Sequence, residues 1–190
     1  LETREMFIAD TDNHRVVRWK WNAQKGEVVA GGNGSGNGLH QLHSPRTLLL
    51  EPSGTLLIGD AYNHRIVRWQ LGAERGELVA GGNGTGAKLN QIARPYGIAF
   101  DADGELYVSD YLNHRVMRWN HEKGEGEVVA GGRGSGIDPD CLHGPCGITF
   151  DPFNRLLVAD AANHRIMQFQ MDDRGRFLRD GEVVAGGNDA

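Results

Sequence analysis

Cysteine is scarce in this chain: 190 residues hold two, too few for a disulfide-built scaffold. Six prolines stand against 28 glycines without a Gly-X-Y period, which excludes collagen and points to many turns. No apolar run approaches the roughly 18 residues of a membrane-crossing helix, so a soluble chain is expected. The opening residues, Leu1 to Glu5, carry no apolar signal-peptide region. The lack of an initial Met reads as a piece of something longer, whose compartment stays open. Bases are outnumbered, 20 Lys and Arg against 25 Asp and Glu, giving a net charge of −5. That argues against nucleic acid as the default partner, because phosphate binding needs clustered cations.

What the chain does have is a repeat. Asn-His-Arg occurs at Asn13-His14-Arg15, Asn63-His64-Arg65, Asn113-His114-Arg115 and Asn163-His164-Arg165, 50 residues apart each time. An aspartate stands three residues before each Asn: Asp10, Asp60, Asp110 and Asp160. A second landmark, Val-Ala-Gly-Gly, recurs at 29–32, 79–82, 129–132 and 184–187, the last interval lengthened by an insertion between Asp172 and Asp180. The units run approximately 1–32, 45–82, 95–132 and 145–187. A fixed period of this size marks a repeat architecture.

Within a unit the hydrophobic pattern is that of strands. The third shows Gly97-Ile98-Ala99-Phe100, Leu106-Tyr107-Val108-Ser109, Arg115-Val116-Met117-Arg118-Trp119 and Gly126-Glu127-Val128-Val129-Ala130. These short runs are rich in β-branched and aromatic residues and bounded by turn formers. Asp101 to Gly104 reads as a hairpin turn, and Asp110 to Asn113 as a second, with Asn suited to positive φ. No longer segment carries a helical period. Four short antiparallel strands per unit make a blade of a β-propeller.

The recurrent Asp-x-x-Asn-His-Arg, with Pro-x-Gly-Ile and Phe-Asp-x-x-Gly-x-Leu upstream, resembles the NHL repeat over essentially the whole chain. The resemblance implies a propeller, usually of six blades. Because Met6 to Asp10 matches the second strand of later units, the chain is expected to hold three complete blades and one lacking its inner strand. The expected architecture is all-β, an open arc or a fragment of a larger propeller. Its unpaired edges invite self-association.

The repeated Asp, Asn and Arg read as a turn clamp, with Asp accepting backbone N–H bonds and Arg spanning neighbouring strands. Four histidines carried outward around an axis cannot converge on one metal. Trp19, Trp69, Trp119 and Phe169 read as blade packing. Gly82 to Ala87 spells a dinucleotide loop but lacks the helix that would meet a pyrophosphate. Asp101 to Glu105 lacks the further ligands of a calcium loop. Asn33-Gly34-Ser35 and Asn83-Gly84-Thr85 spell glycosylation acceptors. No metal site or cofactor is assigned. Cys141, His143 and Cys146 are the residues from which a zinc site could start, a local disulfide or two ordinary thiols being the alternatives.

Strand parity places the 13-residue loops 33–45, 83–95 and 133–145 on the face that carries the Asn-His-Arg turns. Loops on a rigid scaffold are where binding residues concentrate. The residue after the recurrent Pro is Arg46, Tyr96 or Cys146, at the channel mouth. Around it the reading gathers His43, Arg94, Arg133, His143, Tyr62 and Tyr111 as a partner surface, with His40 and Asp140 nearby. The expected function is a non-catalytic scaffold binding a protein or peptide on this face. The family resemblance adds three alternatives: the substrate-recognition part of a larger protein such as a ubiquitin ligase, a propeller hydrolase or lyase, and an RNA-binding module.

Overall fold

The computed structural model describes residues 4–187. Its strands form four antiparallel sheets in chain order. The first sheet holds β1 (Glu5–Asp10), β2 (Arg15–Lys20) and β3 (Glu27–Gly31), and the second β4 (Pro45–Leu50), β5 (Thr55–Asp60), β6 (Arg65–Gln70) and β7 (Glu77–Gly81). The third holds β8 (Pro95–Phe100), β9 (Leu106–Asp110), β10 (Arg115–Asn120) and β11 (Glu125–Gly131). The fourth holds β12 (Pro145–Phe150), β13 (Leu156–Asp160), β14 (Arg165–Phe169) and β15 (Glu182–Gly186). Each sheet is an up-and-down blade, and β4, β8 and β12 pack side by side at the inside of the arc. Among the described residues the first blade has three strands and no inner one, as the sequence pattern predicts.

The core lies between blades, because a strand buries every second side chain on each face of its sheet. Val16, Ala30 and Leu42 of the first blade and its following loop meet Leu56, Ile58, Val67 and Trp69 of the second. Ile66, Ala80 and Ile92 likewise meet Leu106, Val108 and Trp119, and Val116, Ala130 and Leu142 meet Val158, Met167 and Phe169. Trp69, Trp119 and Phe169 are therefore blade packing, as read from the sequence, whereas Trp19 of the first blade is half-buried and lies outside these clusters. Burying one such side chain contributes about 1.5–3 kcal/mol.

The terminal blades show what happens without a neighbour. Met6 is 58% exposed, whereas its equivalents Leu56 and Leu156 are at 0%. Every residue of β15 is exposed, whereas Ala30, Ala80 and Ala130 in the corresponding strands are buried. The arc is open at both ends. Each outer strand also carries a bulge at the Val of its Val-Ala-Gly-Gly motif (Val29, Val79, Val129 and Val184), where the register with the third strand shifts. Such bulges twist an edge and restrict pairing with other strands.

Between second and third strands the chain makes a three-residue 3-10 turn, Thr11–Asn13 in the first blade, and then a left-handed residue. That residue is histidine, not asparagine: His14, His64, His114 and His164 have φ between 53° and 56°. The asparagine is held elsewhere, by the aspartate carboxylate and a loop carbonyl, which corrects the sequence reading. The hairpin turn at Asp101 stands as read. Asp101 Oδ1 accepts the N–H groups of Asp103 and Glu105, and its Oδ2 accepts the hydroxyl of buried Tyr107 at 3.0 Å.

Candidate functional site

The repeated polar residues position the inter-blade loops. Asp60 Oδ1 accepts the backbone N–H of His43 at 2.6 Å, and Asp60 Oδ2 accepts from Asn63 and from Arg65 Nε, each at 2.8 Å. The rest of the Arg65 guanidinium donates to the carbonyls of Asn37, Gly38 and Gln41. Asp110, Asn113 and Arg115 hold the next loop in the same way, at Gly86, Ala87, Lys88, Gln91 and Ala93. So do Asp160, Asn163 and Arg165, at Gly136, Ile137, Cys141 and His143. The arginine therefore clamps the preceding loop instead of spanning neighbouring strands, because its reach ends at free loop carbonyls while strand carbonyls are already paired. Burial raises the Asp60 and Asp110 carboxyls above the ordinary range, against the pull of these donors. In the first blade Asp10 and Arg15 pair without a loop, and the Arg15 side chain is 38% exposed against 7% for Arg65.

The histidines complete the clamp from the other side. His14 Nδ1 accepts the N–H of Ser44, His64 that of Arg94, and His114 that of Gly144, at 3.1–3.2 Å. These three histidines hold backbone in place, as the Asp, Asn and Arg of the three later turns do.

The clamp draws the middle of each loop away from the mouth and along the flank of the following blade. The carbonyls of Leu39, Leu89 and Pro139 accept N–H bonds from Gly76, Gly126 and Gly181, which lie at the start of the outer strands. The proposed partner surface is therefore divided. His40 lies in this flank segment, and so do Asp140 and Arg133, which pair with each other at 3.4 Å. The other residues stay at the mouth, where each loop ends.

There the side chains form a ladder across two blades. The Arg46 guanidinium lies over the Tyr96 ring at 5.2 Å, and Tyr96 stacks on Tyr111 at 4.4 Å. Arg94 lies over Tyr62 at 4.5 Å, and Tyr62 packs on His43 at 5.2 Å. Two histidines that sequence reasoning left out of the surface extend it. His14 packs edge-on to His43 and His114 edge-on to His143; the signal was their constant spacing of 29 residues from the loop histidines. Arg94 has φ 60°, in the left-handed region, where its equivalent in the fourth blade is Gly144. A non-glycine residue there costs ~1–2 kcal/mol, so the position is held against local preference. Among the described residues neither Arg46 nor Arg94 is paired with a carboxylate.

Cys141, His143 and Cys146 do not form a common site. Both thiols are free, Cys141 lies against Asp140, and Cys146 lies against the Gly144 carbonyl. The ligand atoms that do converge are those of Asp138, Asp140 and Cys141, and Asp140 is already held by arginines. Burial raises both thiols, with Asp140 adding to the effect at Cys141. The amides of Asn33 and Asn83 donate to carbonyls of their own loops. Gly82 to Ala87 leads into bends and turns, without a helix.

Residues 93–119, from the end of one loop through β10, match the family model of the NHL repeat. No curated protein sequence matches. Among solved structures, one similar to this chain comes from a nidogen/laminin complex, with a TM-score of 0.64 and 20% identity over 92% of this chain and 58% of that one. A virginiamycin B lyase from Staphylococcus aureus, in a catalytically inactive form with quinupristin, gives a TM-score of 0.59 and 15% identity over 98% and 54%. A Bacteroides thetaiotaomicron protein of unknown function gives 0.66 and 16% over 94% and 44%. The chain spans about half the length of these structures, 44% to 58%. Its fold is a partial β-propeller, and its third unit carries a segment similar to the NHL repeat.

Proposed function

We propose that the chain is a non-catalytic interaction module that holds a protein partner at the mouth, on Arg46, Tyr62, Arg94, Tyr96 and Tyr111. The observation that carries this reading is the ladder Arg46–Tyr96–Tyr111, built from positions where the repeats differ, on a scaffold of positions where they agree. Stacked phenol rings and guanidinium groups present a large contact area at low entropic cost, the composition of interface hot spots. Two guanidinium groups without a carboxylate favour a partner segment with acidic side chains beside apolar ones. The inner-strand ends offer Arg46, Tyr96 and Cys146. The Cys146 thiol, raised by burial, is held away from the thiolate that a nucleophile needs. The nidogen/laminin complex shows a similar fold in a protein–protein assembly, which supports the class of partner.

The test is a quantitative pull-down with the native chain, with Arg46→Ala/Tyr96→Ala and with Arg46→Lys/Tyr96→Phe. Proteins captured by the native chain, lost from the alanine variant and partly recovered by the conservative one support the reading. Equal capture by all three would overturn it.

A further inference from the structure

The fourth unit alone carries the insertion between Asp172 and Asp180. It folds back on itself: Asp172 Oδ1 accepts the N–H groups of Arg174 and Arg176 at 2.9 Å, and Met171 bridges Phe177. The Phe177 ring packs edge-on to Tyr107 at 5.9 Å, against the core between the third and fourth blades. That anchor fixes its neighbours Arg176 and Arg179 as one wall of a groove of about 360 Å³. The opposite wall is Val128 to Gly131 of β11, with Arg118 and Arg133 beside it. Four guanidinium groups there meet three acids: Glu127 pairs with Arg118, Asp140 with both Arg133 and Arg179, and Asp172 with Arg176 at 2.8 Å, in a chain whose net charge is −5. Arg133 and Arg179 share the single Asp140 carboxylate at 3.4 and 3.1 Å, and the Arg176 side chain is 69% exposed.

Successive strand residues point to opposite faces, so a groove lined by four residues in a row runs along the strand's edge. β11 pairs with β10 alone, and this outer edge has no partner strand among the described residues. It presents backbone donors and acceptors that a second extended backbone can match, while the bulge at Val129 limits the match to a few residues. We propose that this groove binds a short, extended acidic peptide, its backbone along β11 and its carboxylates on Arg133, Arg176 and Arg179. It is a second binding surface, on the flank, independent of the mouth.

The test is fluorescence anisotropy with a labelled peptide about ten residues long that alternates Glu and Val. Its controls are the Gln-Val counterpart and an oligothymidylate of similar length. Saturable binding of the Glu-Val peptide, weakened at least about tenfold by Arg176→Glu/Arg179→Glu and by added salt, supports the proposal. Arg133→Gln, on the opposite wall, gives a smaller loss of the same sign, and loss of binding in Arg46→Ala/Tyr96→Ala but not in the groove variants would assign the peptide to the mouth and overturn the proposal. An unchanged melting temperature in the charge-reversed variants, whose replaced side chains are exposed, separates lost binding from lost folding. No saturable binding, equal binding of the Gln-Val peptide, or full affinity in the charge-reversed variant would overturn it. So would tighter binding of the oligothymidylate, which would assign the groove to nucleic acid.

Discussion

The His114 ring accepts, at Nδ1, the backbone N–H of Gly144 from 3.1 Å, tying the third blade to the start of the fourth across 30 residues of chain. An accepting Nδ1 is unprotonated. Burial pushes both His64 and His114 below the ordinary histidine value, with Arg94 beside the first and His143 beside the second adding to it. Asp60 and Asp110 oppose this at His64, and Asp110 and Asp160 at His114. A lowered folded-state value means that the unfolded chain binds the proton first. The stability these two histidines contribute is therefore complete above about pH 6.5 and is lost as the pH falls through their lowered folded-state values, while the raised Asp60 and Asp110 carboxyls act in the opposite sense in the carboxylate range. Urea midpoints should hold steady from about pH 8 to 7 and fall toward about pH 5. His64→Asn/His114→Asn, which retains a side-chain acceptor and tolerates positive φ, should flatten that fall. A midpoint that rises on acidification would contradict the assignment.

The clamp predicts an inequality between repeats. Asp110→Asn strands the buried Arg115 guanidinium and should cost about 3 kcal/mol. Asp10→Asn breaks the same pair where its aspartate and arginine side chains are 26% and 38% exposed, and should cost under about 1 kcal/mol. Denaturant unfolding of the two variants measures both, and equal losses would refute the clamp's dependence on its loop.

The inner strands set a second contrast. A Cβ on Gly97 would collide with the Cys146 backbone carbonyl of the neighbouring strand, whereas one on Gly147 meets nothing within 4 Å. Gly97→Ala should destabilise by about 1–3 kcal/mol, and Gly147→Ala should stay within about 0.5 kcal/mol of the parent.

Met6 and Ile8 at one end of the arc, and Val184 at the other, are exposed where their counterparts Leu56, Ile58 and Val129 are buried. Light scattering should give a mass above the 20.8 kDa of one chain, reduced toward it by Met6→Glu/Val184→Glu. A monomer at all concentrations would show that these faces do not associate.

The blade architecture was legible in the sequence because one pattern occurs four times, and a strand period repeated in register leaves little room for another fold. The missing inner strand was legible for the same reason. Which turn residue turns left-handed was not, because Asn and His both tolerate that conformation and the decision lies in the carbonyls that Asn63 and Asn113 reach across 27 residues. Nor was the descent of the loops along the blade flank, which removes Arg133 from the mouth. That depends on the three carbonyls held by each arginine, a tertiary choice that strand parity does not encode. The grouping of Arg46, Tyr96 and Tyr111 was legible because equivalent positions of a repeat superpose, so their variation marks one surface.

Site-specific photo-crosslinking tests the central claim most directly. A photoreactive phenylalanine analogue is placed in turn at position 96, in the ladder, and at position 153. Position 153 is an exposed phenylalanine in the turn between β12 and β13, at the other end of the blade. The interaction-module account predicts that a captured partner crosslinks from position 96 and not from position 153. Crosslinking from position 153 alone, or equally from both, would contradict it.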